Sequence, residues 1–247
     1  MLGTGGALQN FRVLGTGTIF LGGDNSASIG AANLFLLGLG PDAGPTAKIG
    51  HNAAFGAGTI DFQPAAAATV QSSDATARTI ANAVKFSDVA LNQVTFGTAG
   101  TGDLVFTGIV TLSGSLAVTV GNDRTTFTNA INGTGLGVTK NGAGTLTLSG
   151  VQNYDTLTTS AGTTHLNGAL GSGGSTLNAN AATNIGASQT LAAFNIGAGA
   201  TVTLTAPPPP AFAEADFPLS PQAVPEPGTA SALLAGIAAL LGTRRRV

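Results

Sequence analysis

The residues best suited to chemistry in this chain are its aspartates. Ahead of Pro207 they are Asp24, Asp42, Asp61, Asp74, Asp88, Asp103, Asp123 and Asp155. Hydrolysis of a glycosidic bond needs two carboxyl groups about 5–10 Å apart, one acting as acid and the other as base or nucleophile. No two of these aspartates are close in sequence, and none has a His or Arg at a recurring distance. Asp103 and Asp123, 20 residues apart, are the pair that stacked coils could bring together. His51 and His165 each lack a second ligand at metal-binding spacing. In Thr163-Thr164-His165-Leu166, alternation with Leu166 points His165 outward. Gly22-Gly23-Asp24-Asn25 is a single copy of a pattern that binds calcium through tandem repetition. Gly3-Thr4-Gly5-Gly6 lacks the lysine and acidic partner of a phosphate loop. With no cysteine there are no thiolate metal sites and no disulfides. The expectation is a non-enzymatic chain with no catalytic residue, metal or cofactor, its aspartates solvated in turns.

Charge narrows the partners. Only 8% of residues are charged, against about 25% in ordinary domains. Arg12, Lys48, Arg78, Lys85, Arg124 and Lys140 are scattered, so no basic stripe exists to neutralise phosphates, which argues against nucleic acid as a partner. Hydrophobic residues make up 43% of the chain, too many for a disordered polymer. Yet large side chains are few and glycine is abundant. Apolar surface of that kind suits a thin core of stacked layers, as in a solenoid.

The elements that would position these residues read as short strands. Gly58–Phe62, Val94–Phe96, Leu104–Phe106, Ile109–Leu112, Leu116–Val120, Thr125–Phe127, Gly137–Thr139, Thr145–Leu148 and Thr201–Leu204 alternate with period two. Val, Leu, Ile and Phe are expected inside and Thr outside. Gly and Asn punctuate the runs at Asn132-Gly133, Asn141-Gly142, Asn167-Gly168 and Gly171-Ser172-Gly173-Gly174, where tight corners need positive φ. Val110-Thr111-Leu112-Ser113-Gly114 recurs as Leu146-Thr147-Leu148-Ser149-Gly150, 36 residues later, within the range of solenoid repeats but too imperfect to fix a coil length. Leu2-Gly3-Thr4-Gly5 recurs as Leu14-Gly15-Thr16-Gly17. Hairpins in a sandwich would also use Asn-Gly turns. The many Gly and Asn corners, few aromatics and small inward residues favour a parallel β-helix.

Lys140-Asn141-Gly142-Ala143-Gly144-Thr145-Leu146-Thr147-Leu148-Ser149-Gly150, followed by Asn153-Tyr154 and Ala161-Gly162-Thr163, resembles the autotransporter-associated β-strand repeat of large exported passenger proteins. The strong match covers about 30 residues from Gly133 onward, and weaker likeness extends over roughly 75 to 205. At Asp155-Thr156-Leu157 the chain departs from the Thr-Gly pair usual in that repeat, so a distorted corner is expected there. The resemblance implies a right-handed parallel β-helix with an extracellular, mostly structural role and no catalytic residues. The β-solenoid is expected over 1–206, with 1–50 poorly defined and acting as a cap if Met1 is the true start. A Pro-rich linker is expected over 207–223, stiff at Pro207-Pro208-Pro209-Pro210 and disordered from Ala211 to Ala223.

The tail has three parts. Val224-Pro225-Glu226-Pro227 is an extended motif held open by its prolines. Ala230 to Gly242 is uncharged, with Ala230, Leu233, Leu234, Ile237, Leu240 and Leu241 as its apolar content. As a helix at about 1.5 Å per residue it is short for a bilayer core of about 30 Å. Arg244, Arg245 and Arg246 would stop transfer and stay on the cytoplasmic side. This order resembles the PEP-CTERM sorting signal, which implies an exosortase-like sorting protease as partner, transient residence in the inner membrane, and delivery to the cell surface or matrix. An uncut tail anchor is the simpler alternative. Met1-Leu2-Gly3-Thr4-Gly5 carries no secretory leader, so an upstream segment is expected. The resulting expectation is an exported structural or adhesive protein contacting exopolysaccharide. The alternatives are a polysaccharide-active β-helix enzyme and a fragment of an autotransporter passenger.

Overall fold

The computed structural model describes residues 10–27, 34–39, 44–63, 68–88, 91–171 and 174–205. The chain divides into two compact units, Met1–Pro207 and Pro208–Val247, and every described residue lies in the first. The described residues form strands and turns with no helix, and every strand pairing among them is parallel. Parallel neighbours need a crossover between them, which excludes the hairpin sandwich for this region.

The chain winds as a β-solenoid. Its first coil holds β1 (Asn10–Leu14) and β2 (Thr18–Leu21), the second β3 (Leu34–Leu39) and β4 (Thr46–Ile49). From the third coil three faces recur: β5 (Thr59–Phe62), β6 (Ala68–Ser72) and β7 (Arg78–Ile80), then β8 (Val84–Phe86), β9 (Leu91–Phe96) and β10 (Leu104–Phe106). Next come β11 (Val110–Leu112), β12 (Ser115–Val120) and β13 (Arg124–Phe127). The long β14 (Ile131–Asn141) spans two faces and is followed by β15 (Thr145–Leu148). The later coils hold β16 (Asn153–Thr159) and β17 (Thr163–Leu166), β18 (Ser175–Ala179) and β19 (Ala182–Ile185), and β20 (Leu191–Ile196) and β21 (Val202–Leu204). One sheet of seven strands stacks β7, β10, β13, β15, β17, β19 and β21, one from each of the seven turns that begin with the third coil. The other two faces form one sheet of 14 strands, because β14 pairs with β11 through its first residues and with β12 through its last.

Register fixes what faces inward. In the seven-stranded sheet Ile80, Phe106, Phe127, Leu148, Leu166 and Ile185 lie above one another and all are buried. Phenylalanines dominate the middle coils. Phe62 stacks on Phe86 at 4.8 Å, and Phe106 on Phe127 at 5.0 Å, while Phe96 packs against Phe62, Phe106 and Phe127. Each such aromatic pair adds about 0.5–1.5 kcal/mol beyond area burial. Five of the chain's 12 phenylalanines thus form one stacked cluster in the middle coils.

Two expectations are corrected here. Threonine is not confined to the outside: Thr125, Thr159, Thr164 and Thr183 are fully buried. Each sits on the inward phase and carries a hydrogen bond, such as Thr125 Oγ1 to Asn122 Oδ1 at 3.0 Å and Thr159 Oγ1 to Thr164 Oγ1 at 3.0 Å, so burial leaves no hydroxyl orphaned. The 36-residue recurrence is not a coil: Val110 lies on β11 and Leu146 on β15, which belong to different sheets. The coil step is shorter, for Phe106, Phe127 and Leu148 are register partners 21 residues apart.

Candidate functional site

The expected sorting residues, Val224, Pro225, Glu226 and Pro227, lie outside the described residues, as do Ala230, Leu233, Leu234, Ile237, Leu240, Leu241 and Arg244, Arg245 and Arg246. The same holds for the spacer and the short C-terminal helix, and for Asp42. Among the described residues no helix is long and apolar enough to cross a membrane.

The described aspartates are dispersed. Asp103 does not stack on Asp123. Leu104 pairs with Thr125, which sets Asp103 opposite Arg124, and its Oδ1 accepts the Arg124 N–H at 2.9 Å. The coil step is 21 residues while the aspartates are 20 apart, so Asp123, exposed just ahead of β13, falls one position short of register with Asp103. Asp74 pairs with Arg78 at 2.9 Å and accepts the Thr76 N–H at 2.7 Å. The Thr76 hydrogen bonds are the main reason its carboxyl titrates below the usual value, with Arg78 contributing less. Asp61 is buried between Ile60 and Phe62, its Oδ1 accepting from Ser87 Oγ at 2.5 Å and its Oδ2 from Gln63 Nε2 at 3.1 Å. His51 accepts the Ala53 N–H at 3.1 Å within its own turn. His165 lies on an outer ladder between Thr147 and Asn184, with Nε2 3.4 Å from the Asn184 amide. No group of three or more His, Cys, Asp or Glu that could hold a metal ion occurs among the described residues.

Where the chain turns from one face to the next, backbone carbonyls point into the interior and must find donors. Side-chain amides supply them. Asn82 Nδ2 donates to Gly56 O at 3.0 Å and Gly58 O at 2.7 Å, and Asn122 Nδ2 to Gly102 O at 3.1 Å and Arg124 O at 2.8 Å. Gln189 Nε2 donates to Gly168 O at 3.1 Å, and its Oε1 accepts the Leu170 N–H at 2.7 Å. In one corner the donor is a lysine. Lys140 lies in register with Val118 below and Thr159 above, on the inward phase of β14, and is fully buried. Its Nζ donates to Gly142 O at 2.6 Å, Gly144 O at 2.5 Å and Ala161 O at 2.8 Å. Gly162 shapes this corner: with φ at 65° and its Cβ position 2.5 Å from Lys140 Nζ, only glycine fits without strain. In the sequence Lys140 reads as one of several scattered cations. The inward phase of Val138 and Lys140, followed by Gly142 and Gly144, was the signal that it is internal. Burial lowers its pKa to about 8.

The corner expected to be distorted at Asp155 is distorted in the facing coil. β16 runs unbroken through Asp155, whereas β14 bulges: Gly133 pairs with Tyr154 and Gly137 with Thr156, so Thr134, Gly135 and Leu136 stand opposite Asp155 alone. Asp155 Oδ1 accepts the Gly135 N–H at 2.9 Å and pins the bulge. Beside it opens a cleft of about 510 Å³ lined by Asn132, Thr134, Asn153, Asp155, Gly174 and Ser175. Asn153 Nδ2 donates to Asn132 Oδ1 at 2.7 Å, and Asn132 Nδ2 to Val110 O at 3.2 Å, which fixes both amides.

The fold and these sites define a parallel β-solenoid protein with amide-capped corners. Comparison with protein-family models, with curated proteins and with solved structures finds no match to this chain.

Proposed function

We infer that this is an exported, non-enzymatic surface or matrix protein, in which a β-solenoid stalk is sorted by its C-terminal tail. The observation that carries the reading is the order of Val224-Pro225-Glu226-Pro227, the uncharged run from Ala230 to Gly242, and Arg244-Arg245-Arg246 at the end of the chain. An extended motif suits a protease cleft, an apolar helix suits a membrane, and terminal arginines hold the end inside. That layout resembles a PEP-CTERM signal read by an exosortase-like protease. The stacked solenoid supports a structural role, since each coil adds length while burying its own core.

The outer surface supports contact with exopolysaccharide. Ladders of amides and hydroxyls, among them Asn132–Asn153, Asn178–Asn195 and Thr158–Asn178, offer hydrogen bonds without strong charge. Repeated weak contacts of this kind gain by multivalency.

The test is the intact mass of the native protein recovered from envelope and medium of its host. A C-terminus cut near Pro225-Glu226-Pro227 is expected. A tail intact through Val247 in every fraction would refute sorting by cleavage.

A further inference from the structure

The cleft beside Asp155 has an unusual inventory. Its polar side chains are two carboxamides, the hydroxyls of Thr134 and Ser175 and one carboxylate, together with Tyr154, whose hydroxyl is buried, and no cation is among them. A volume of about 510 Å³ falls within the range of roughly 300–1,000 Å³ typical of small-ligand sites. The groups that line it are held in place by bonds that leave capacity unspent. Asn153 commits one amide hydrogen to Asn132, leaving its second hydrogen and its Oδ1 free to engage a ligand. Asn132 commits one hydrogen to the Val110 carbonyl. Asp155 commits Oδ1 to the Gly135 N–H and keeps Oδ2 for another donor. Ser175 donates to the Tyr154 carbonyl and retains its lone pairs.

The chemistry of a fitting ligand follows by elimination. An anion would meet the Asp155 carboxylate with no compensating cation. A hydrocarbon would leave fixed amides and a carboxylate unpaired, at a cost of about 1–3 kcal/mol per buried group. A divalent cation would find one carboxylate where such ions collect several oxygen ligands, charged ones prominent among them. What remains is a neutral molecule carrying several adjacent hydroxyls. Neighbouring hydroxyls can both donate to a carboxylate or split between carboxylate and amide, and each hydroxyl also accepts from an amide hydrogen.

We propose that the cleft formed by Asn132, Thr134, Asn153, Asp155 and Ser175 binds a neutral sugar unit of a polysaccharide. It rests on the surface-protein reading for the expectation that the chain meets glycan, and narrows that contact from a diffuse surface to one built site. The bulge of β14 is its cause: without the extra residues opposite Asp155, β14 and β16 would pair continuously and close the gap. Specificity for neutral over acidic glycan comes from Asp155.

The experiment uses the full chain, applied to immobilised neutral gluco-, manno- and galacto-oligosaccharides and to a polyuronate. Wild type is expected to be retained on at least one neutral glycan and not on the polyuronate. Asn153→Ala and Asp155→Asn, the latter keeping an acceptor for the Gly135 N–H, should each reduce retention tenfold or more with an unchanged thermal midpoint. Thr134→Val, on the exposed bulge, should also weaken retention, and Gln93→Ala, exposed on β9 away from the cleft, should bind as wild type. If wild type binds a neutral glycan and the cleft variants bind equally well, the cleft assignment is wrong while the glycan reading stands. Retention on none of the glycans overturns both. Preferential retention on the polyuronate overturns the neutral ligand class.

Discussion

Lys140 Nζ and the Ala161 carbonyl, 21 residues and one coil apart, meet at 2.8 Å inside the solenoid. The same ammonium holds the Gly142 and Gly144 carbonyls of its own corner. One side chain therefore joins two successive coils, alongside the backbone bond from the Thr163 N–H to the Gly144 carbonyl at 3.3 Å. No salt bridge involving Lys140 occurs among the described residues, so its charge is compensated by dipoles alone.

Replacing Lys140 with Met keeps an unbranched chain of similar length but removes every donor. The Gly142 and Ala161 carbonyls lose the ammonium, the Gly144 carbonyl keeps only the longer bond from the Thr163 N–H at 3.3 Å, and an unsatisfied buried group costs about 1–3 kcal/mol. Lys140→Met should lose at least about 2 kcal/mol in chemical denaturation of the full chain. A midpoint equal to wild type would mean that water replaces the ammonium without penalty.

Gly162→Ala should be destabilising by a separate route. The backbone there has φ at 65°, and an added Cβ would lie 2.5 Å from Lys140 Nζ and from the Gly142 carbonyl. Left-handed strain for a non-glycine residue is of order 1–3 kcal/mol. In the double variant with Lys140→Met, part of that cost should disappear because the Nζ clash is gone. Strict additivity of the two changes would argue against a shared corner.

The corner also makes stability depend on alkaline pH. Burial lowers the Lys140 pKa from 10.5 to about 8. Between these values the unfolded chain carries a proton that the folded chain has released. Stability from this group therefore rises with pH from about 8 to about 10.5 and is flat below that window. A neutral amine keeps two N–H donors for the carbonyls, so capping persists as the charge is lost. The thermal midpoint of wild type, relative to Lys140→Met, should climb across this range. A falling difference would show that the three carbonyls favour the charged form more strongly than burial opposes it.

Phe106 lies between Phe96 at 4.9 Å and Phe127 at 5.0 Å and is fully buried. Phe106→Ala should cost about 3–5 kcal/mol. Because each coil contacts mainly its neighbours, the loss of hydrogen-exchange protection should centre on β10, β7 and β13 and spare β19. Uniform loss over all coils would indicate that the solenoid unfolds as one unit.

Local pattern alone specified much of this molecule. The inward phase was legible along strand after strand: Leu104 and Phe106, Leu116, Val118 and Val120, and Leu146 and Leu148 are all buried as their alternation requires. Period two is a property of the extended backbone and needs no partner. Of the expected glycine corners, Gly142 and Gly171 take positive φ, whereas Gly133 lies inside β14 and Gly168 does not take it. The chemistry-poor distribution of aspartates was visible too, but not their surroundings: Asp61 is buried beside Ser87, 26 residues away, which no local spacing announces.

The stacking of coils decided the rest. It set the step at 21 residues between Phe106 and Phe127, which shifted Asp123 one position out of register with Asp103 and placed the 36-residue recurrence on two different faces. It turned Thr125 and Thr164 inward with hydrogen-bonded hydroxyls, opened the cleft at Asp155, and made Lys140 a structural donor. Sequence determines which way a side chain points from its own backbone. Only the tertiary winding determines which carbonyls, about a coil away along the chain, converge on it, because that depends on the length of every corner in between.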